Sequence, residues 1–385
     1  ARVGVIKGTL STDLFFCSGP YTFSFDWLVF KPEAISGTVF WDTQFKSGIG
    51  RLPSLVAETG LLGGTTLIIF ISSLLYGGKE VVSYREHNLE RMLLVSSFLG
   101  SVYLWIFTIV YSPGFLIFIF AGIFTGVFVA SLCVAQKTEM AEITFGKSTK
   151  KGFALYLAVV FAILSFAYSV YFFGTKYLAG YFYTTALQEA SVRNDIGKAD
   201  AYLQRAVWLD PQDTYFRSVA EIGLLQLGQL IARSSKAEMV SDIEKAQFRD
   251  ILTATVQSAK NATIANPLDP QNWMELGKVY EAILQFDPKG FKSSAIFAYG
   301  EALRVSPRDP SSLVALARVE LQTGNSDEAL IYLNESIKIK SDFTASHMMF
   351  AQVALAEGKL KEAISELEQA VIARPNNSEN IYIIL

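Results

Sequence analysis

Residues 41–64, WDTQFKSGIGRLPSLVAETGLLGG, carry the chain out of a polar, aromatic stretch into an apolar one. The last basic residue is Arg51, and from Val56 to Leu75 the only charged side chain is Glu58. A run of about 20 mostly apolar residues, at ~1.5 Å of helical rise each, crosses the hydrocarbon core of a bilayer. The first membrane-spanning helix is therefore expected at 56–75.

Downstream, three more runs meet the same test, at 92–111 (MLLVSSFLGSVYLWIFTIVY), 114–135 (GFLIFIFAGIFTGVFVASLCVA) and 153–174 (FALYLAVVFAILSFAYSVYFFG). None of the four holds an Asp, Glu, Lys or Arg beyond its first few residues, which argues against an ion or proton relay and against a transporter. Gly122 and Gly126, at small-xxx-small spacing, predict close helix contact. The loop after the first run carries Lys79, Arg85 and Arg91, and the loop after the third carries Lys137, Lys147, Lys150 and Lys151. By the positive-inside rule both loops face the cytoplasm, so residues 1–55 and everything after 174 are expected outside.

Composition agrees with a membrane chain: 385 residues, 51% hydrophobic and 18% charged. The net charge of -3 provides no basic field for nucleic acid. Cys17 and Cys133 lie too far apart to read as a disulfide framework, and with His87 and His347 the only histidines no metal site or other cofactor is implied. The chain opens ARVGVIKGTL and closes NIYIIL, and both ends read as cut from a longer protein with further spans upstream.

Residues 1–55 alternate aromatic and polar side chains, as in YTFSFDWLVF, and are expected to be a short irregular, β-prone external loop. Trp27, Phe30, Phe40 and Trp41 suit the bilayer interface. Past Gly174 the sequence becomes amphipathic, and a 34-residue period appears: Gly324 recurs as Gly358, Ala329 as Ala363 and Ser336 as Ala370. Trp273, Leu276, Gly277 and Tyr280 follow a W-x2-L-G-x2-Y spacing, closed by Ala302 and Pro307. Ala199, Ala206 and Pro211 repeat the offsets of Ala363, Ala370 and Pro375, which puts an earlier copy directly after the fourth span. Small residues let paired helices approach, and Pro stops the second helix of each pair. The segment 211–267 is too long for one unit, and residues 286–290 read as an insertion. His347 reads as a packing residue inside a repeat helix.

These positions resemble the tetratricopeptide repeat (TPR) family, which implies an α-solenoid over 175–385 that binds a protein or peptide partner. The expected fold is thus all-α: an external loop at 1–55, a polytopic membrane domain at 56–174, then a TPR solenoid. The series Leu55, Val56, Ala57, Glu58, Thr59, Gly60, Leu61, Leu62, Gly63 also resembles the end of the external loop in the O-antigen ligase and polymerase family. That resemblance implies a bacterial inner-membrane enzyme moving a glycan from an undecaprenyl-diphosphate carrier. A departing diphosphate needs cations, for which Lys31, Lys46 and Arg51 stand nearest, and the acceptor hydroxyl needs a base, for which Asp42 and Glu58 are candidates. Arg51 is also a catalytic candidate. Where that family carries a loop His, this chain has Ile49, Gly50 and Arg51, which favours a competing expectation of a non-catalytic membrane scaffold for envelope proteins.

Overall fold

The computed structural model describes residues 5, 7–9, 18–19, 22–38, 40–45, 47, 51–84, 89–111, 114–135, 149–234, 242–284 and 286–373. Every regular element among them is helical. The chain divides into two compact units, 1–144 and 145–385.

The first unit contains α1 (Phe23–Phe30), α2 (Glu33–Ser36), α3 (Arg51–Ser83), α4 (Leu89–Val110) and α5 (Phe115–Ala135). The β-prone expectation for 1–55 is corrected by α1 and α2. Phe23 and Trp27 stand one helical turn apart and bury together against Ala57 and Val5, so the spacing of four decides over the local alternation. A short helix also satisfies its own backbone without a neighbouring strand. Within α3, Gly60 adopts φ 67°, ψ -163° and breaks the helix into two segments. Glycine takes this backbone shape without the Cβ clash that other residues meet. Glu58 therefore stands near the end of the first segment.

α4 and α5 pack as a pair whose polar seam is Ser101 Oγ to Thr125 Oγ1 at 2.7 Å and Trp105 Nε1 donating to Thr125 Oγ1 at 3.0 Å. Leu74, Leu94 and Phe128 form the buried apolar cluster beside it. The expected contact through Gly122 and Gly126 is not made among the described residues, where neither has a neighbour within 4 Å of an added Cβ. The close approach falls at Gly100, against the Phe124 ring.

The second unit runs α6 (Thr149–Ser191), α7 (Ile196–Leu209), α8 (Asp213–Ser234), α9 (Asp242–Ala265), α10 (Pro270–Leu284), α11 (Pro288–Val305), α12 (Pro310–Gln322), α13 (Ser326–Ile339), α14 (Thr344–Ala356) and α15 (Leu360–Ala373). They pack in consecutive pairs, α6 with α7 through to α14 with α15, and each pair packs on the next. This is a TPR-like α-solenoid. Its local signals are explicit. Asp195, Asp287 and Asp309 cap α7, α11 and α12 by accepting from backbone N–H groups three residues on, or two and three for Asp309. Pro270, Pro288 and Pro310 open α10, α11 and α12, where no amide donor is required. Gly324 and Gly358 take φ 82° and 75° in the turns after α12 and α14, so the period repeats in backbone angle as well as in letters. Ala199, Ala206, Ala302, Ala329, Ala363 and Ala370 have no exposed surface.

Two features refine the sequence reading. Residues 286–290, read as an insertion, are the cap and first turn of α11, with Asp287 Oδ1 accepting from Gly290 N at 3.0 Å. Helix α6 is 43 residues long, about 65 Å at the usual rise, and holds both the apolar run and the first helix of the first pair. Its window Tyr156–Ser191 joins Ser54–Ser83, Leu89–Val110 and Leu116–Val134 as the four described helices long and apolar enough to cross a membrane.

Candidate functional site

At the loop side of α3 the candidate residues occupy different settings. Lys31 is 1% exposed, and its ammonium donates to the Trp41 carbonyl at 2.7 Å, so it clasps the loop's own backbone. Glu58 is buried at 3% exposure, while Asp42 sits exposed in a turn. Arg51 begins α3, but its side chain, like the whole of Lys46, lies outside the described residues. The side chain that sequence reasoning misses is Asp26. It is buried, accepts from Ser18 Oγ at 2.6 Å and Thr22 Oγ1 at 3.3 Å, and burial pushes its carboxyl above the usual carboxylate range. Ser18 also reaches the Ala57 carbonyl at 3.5 Å, and Gly19 N donates to the Glu58 carbonyl at 2.9 Å, so the loop is pinned to the segment that carries Glu58.

In the solenoid the predicted signature residues converge. Leu276, Gly277 and Tyr280 are buried in one core with Ala298 and Tyr299, and Gly277 lies against the Tyr299 ring. Trp273 is half-buried and donates from Nε1 to the Pro267 carbonyl at 2.8 Å. Pro307 sits in the turn after α11, and Pro375 lies outside the described residues. Trp273 meets Phe297 edge to face at 6.1 Å, and together with Lys260, Ile264, Tyr280 and Ser293 they line a cleft of about 370 Å³ among α9, α10 and α11. Phe297 and Ile264 remain 60% and 76% exposed. An apolar floor with a lysine and two serines at its edge fits an apolar side chain presented on a polar backbone.

Polar clamps between helix pairs are not visible in the repeat pattern. Asn272, fully buried, donates to Asp213 Oδ2 and to the carbonyls of Ala262 and Asn266, and its Oδ1 accepts from Arg217 at 2.7 Å. Glu281 gathers Arg318, Tyr299 Oη at 2.6 Å and Gln322 Nε2 at 3.1 Å, tying α10 to α11 and α12. Burial and the adjoining Glu281 carboxylate push the Tyr299 hydroxyl well above its ordinary range. His347 is buried with Nδ1 2.6 Å from Glu366 and Nε2 2.8 Å from the Ser341 carbonyl, so it links α14 to α15 through polar bonds. The spacings that mark the repeat report small and apolar positions, and these residues lie between them.

Stacked helix pairs with a recurring Gly-turn and alanine contacts define a TPR-type protein-interaction domain. Residues 290–370 match the family described as anaphase-promoting complex, cyclosome, subunit 3. Among solved structures, the thermophilic TPR protein TTC0263 of Thermus thermophilus is 18% identical, with 53% of this chain and 95% of that chain covered and a TM-score of 0.41. YrrB, described as a TPR protein with an unusual peptide-binding site, is 14% identical, with 51% and 86% covered and a TM-score of 0.33. Yeast Tom70 is 12% identical, with 100% and 67% covered and a TM-score of 0.40. No curated protein matches the chain.

Proposed function

We propose that this chain is a membrane-anchored TPR protein that holds a protein or peptide partner beside the bilayer. The observation that carries this is α6, in which a run apolar enough to cross a membrane continues unbroken into the first helix pair of the solenoid. In this reading α3, α4, α5 and α6 cross a bacterial inner membrane, the basic loops face the cytoplasm, and residues 1–55 and the solenoid lie outside it. The partner contributes an extended segment with an apolar side chain for the Trp273–Phe297 cleft. The test places a photo-crosslinking amino acid at Phe297 of the full chain in its native membrane. One recurrent adduct that Ile264→Asp abolishes supports the cleft, whereas an adduct pattern unchanged by Ile264→Asp removes it.

A second reading, glycan transfer from a lipid diphosphate, is favoured by the buried Asp26 carboxyl, whose partner Ser18 also reaches the Ala57 backbone carbonyl next to the buried Glu58. Burial raises the Asp26 carboxyl, which makes it a stronger base toward a hydroxyl proton. Arg51 and Lys46 would then face the diphosphate, and Lys31, committed to Trp41, would hold the loop. Glycan transfer by purified full chain that is lost in Asp26→Asn and in Arg51→Ala supports this reading. Transfer that survives both rules it out.

A further inference from the structure

Trp208 is 83% exposed on the open face of α7, an unusual setting for an indole. Its height relative to the apolar part of α6 is fixed by two contacts. Lys176 Nζ lies 3.4 Å from Asp210 Oδ1, and Ala179 shares a buried cluster with Ala206 and Leu209. Since α7 runs back along α6, Trp208 stands level with residues 177–178 of α6. That is about 5 Å along the axis from Gly174, where the apolar run ends.

The groups at this height share an amphipathic character. Tyr177 is 78% exposed, and Tyr181, one turn further on, is 57% exposed. Lys176 sits 5.0 Å from the centre of the Phe172 ring, and Arg205, one turn before Trp208 on the same side of α7, lies within 6 Å of the Phe182 and Tyr202 rings. Indole, phenol and stem-bound cations within about 10 Å along the axis match the headgroup layer, where rings meet acyl chains and N–H groups and cations meet phosphate and ester oxygens.

We propose that Trp208 is an interfacial anchor: it seats the α7–α8 turn in the headgroup layer, so the first repeat rests on the bilayer surface with no aqueous gap. This rests on the reading that α6 crosses the membrane. The occupant of the exposed face is lipid, argued from its continuity with the apolar run of the same helix.

The test uses the full chain in lipid vesicles and compares tryptophan emission with that of Trp208→Phe. The emission difference between the two belongs to the indole at 208. Its loss in vesicles of lipid brominated high on the acyl chain supports the anchor. Full retention there, together with loss on adding aqueous iodide, overturns it and leaves Trp208 as water-facing surface for a protein partner. A companion variant, Leu164→Trp, reports on the span itself through lipid brominated near the chain terminus. If the added emission is quenched there while Trp208 answers only to iodide, α6 crosses the membrane and the anchor alone fails. If the added emission is not quenched, α6 is not inserted, and the membrane reading fails with the anchor.

Discussion

At the scale of single residues, the solenoid shows where a spacing in the sequence does and does not carry its own explanation. Gly277 is legible from the sequence because its constraint is steric. A Cβ there would stand 2.3 Å from the Tyr299 ring, and that ring is wholly buried. Gly277→Ala is expected to destabilise the domain by about 1–3 kcal/mol through overpacking, read from thermal unfolding of the purified chain. Glu275 is illegible because nothing in the pattern marks a buried acid. It is 1% exposed, Lys278 holds one oxygen at 3.0 Å, and Oε1 has no partner among the described residues. Desolvation raises its carboxyl above the ordinary range, with Lys278 opposing. A raised folded-state pKa means that the native state gains from protonation and loses that gain as pH rises through the raised value. Glu275→Gln should therefore unfold at a higher temperature than the parent at neutral pH, and the difference should shrink as the pH falls through the carboxyl's titration. A parent that is the more stable at neutral pH would contradict this.

At the scale of elements, all four apolar helices are legible in place because length and hydropathy define them, but only α4 and α5 match in extent, while α3 and α6 run on to Ser83 and Ser191. The aromatic loop misleads, since alternation over so short a stretch also fits a helix that buries Phe23 and Trp27 on one side. The break in α3 is hidden as well: AETG reads as helix, and only the positive φ of Gly60 reveals two segments. Helix pairing in the repeats is legible through alanines, but the links between pairs are not. Glu281 ties α10 to α12, and in Glu281→Ala the buried Tyr299 hydroxyl and the Arg318 guanidinium lose their shared acceptor. Arg318 keeps access to water at 40% side-chain exposure, so the main penalty is the buried Tyr299 hydroxyl left without its acceptor, about 1–3 kcal/mol. Amide exchange is expected to speed up in α10, α11 and α12, with α14 and α15 little changed, and hydrogen-exchange mass spectrometry reads the difference. Uniform acceleration across the solenoid would show that Glu281 has no local role.

At the scale of the whole molecule, the described residues separate into two units, and the division falls before α6, so three apolar helices belong to one unit and the fourth to the repeats. A solenoid whose pairs touch mainly their neighbours loses stability piecewise. Deleting 344–385 removes α14 and α15, and the core around Leu276, Tyr280 and Tyr299 should survive with near-native protection. Collapse of that core in the shortened chain, seen by circular dichroism, would mean that the stack folds only as one block. The unbroken backbone of α6 has a geometric consequence of its own. With no joint between the apolar run and the first pair, each residue inserted or deleted near Thr175 swings the compass bearing of the entire stack by about 100° and moves it by about 1.5 Å. The azimuth at which a docked polypeptide is presented is thus set by counting residues along one rod.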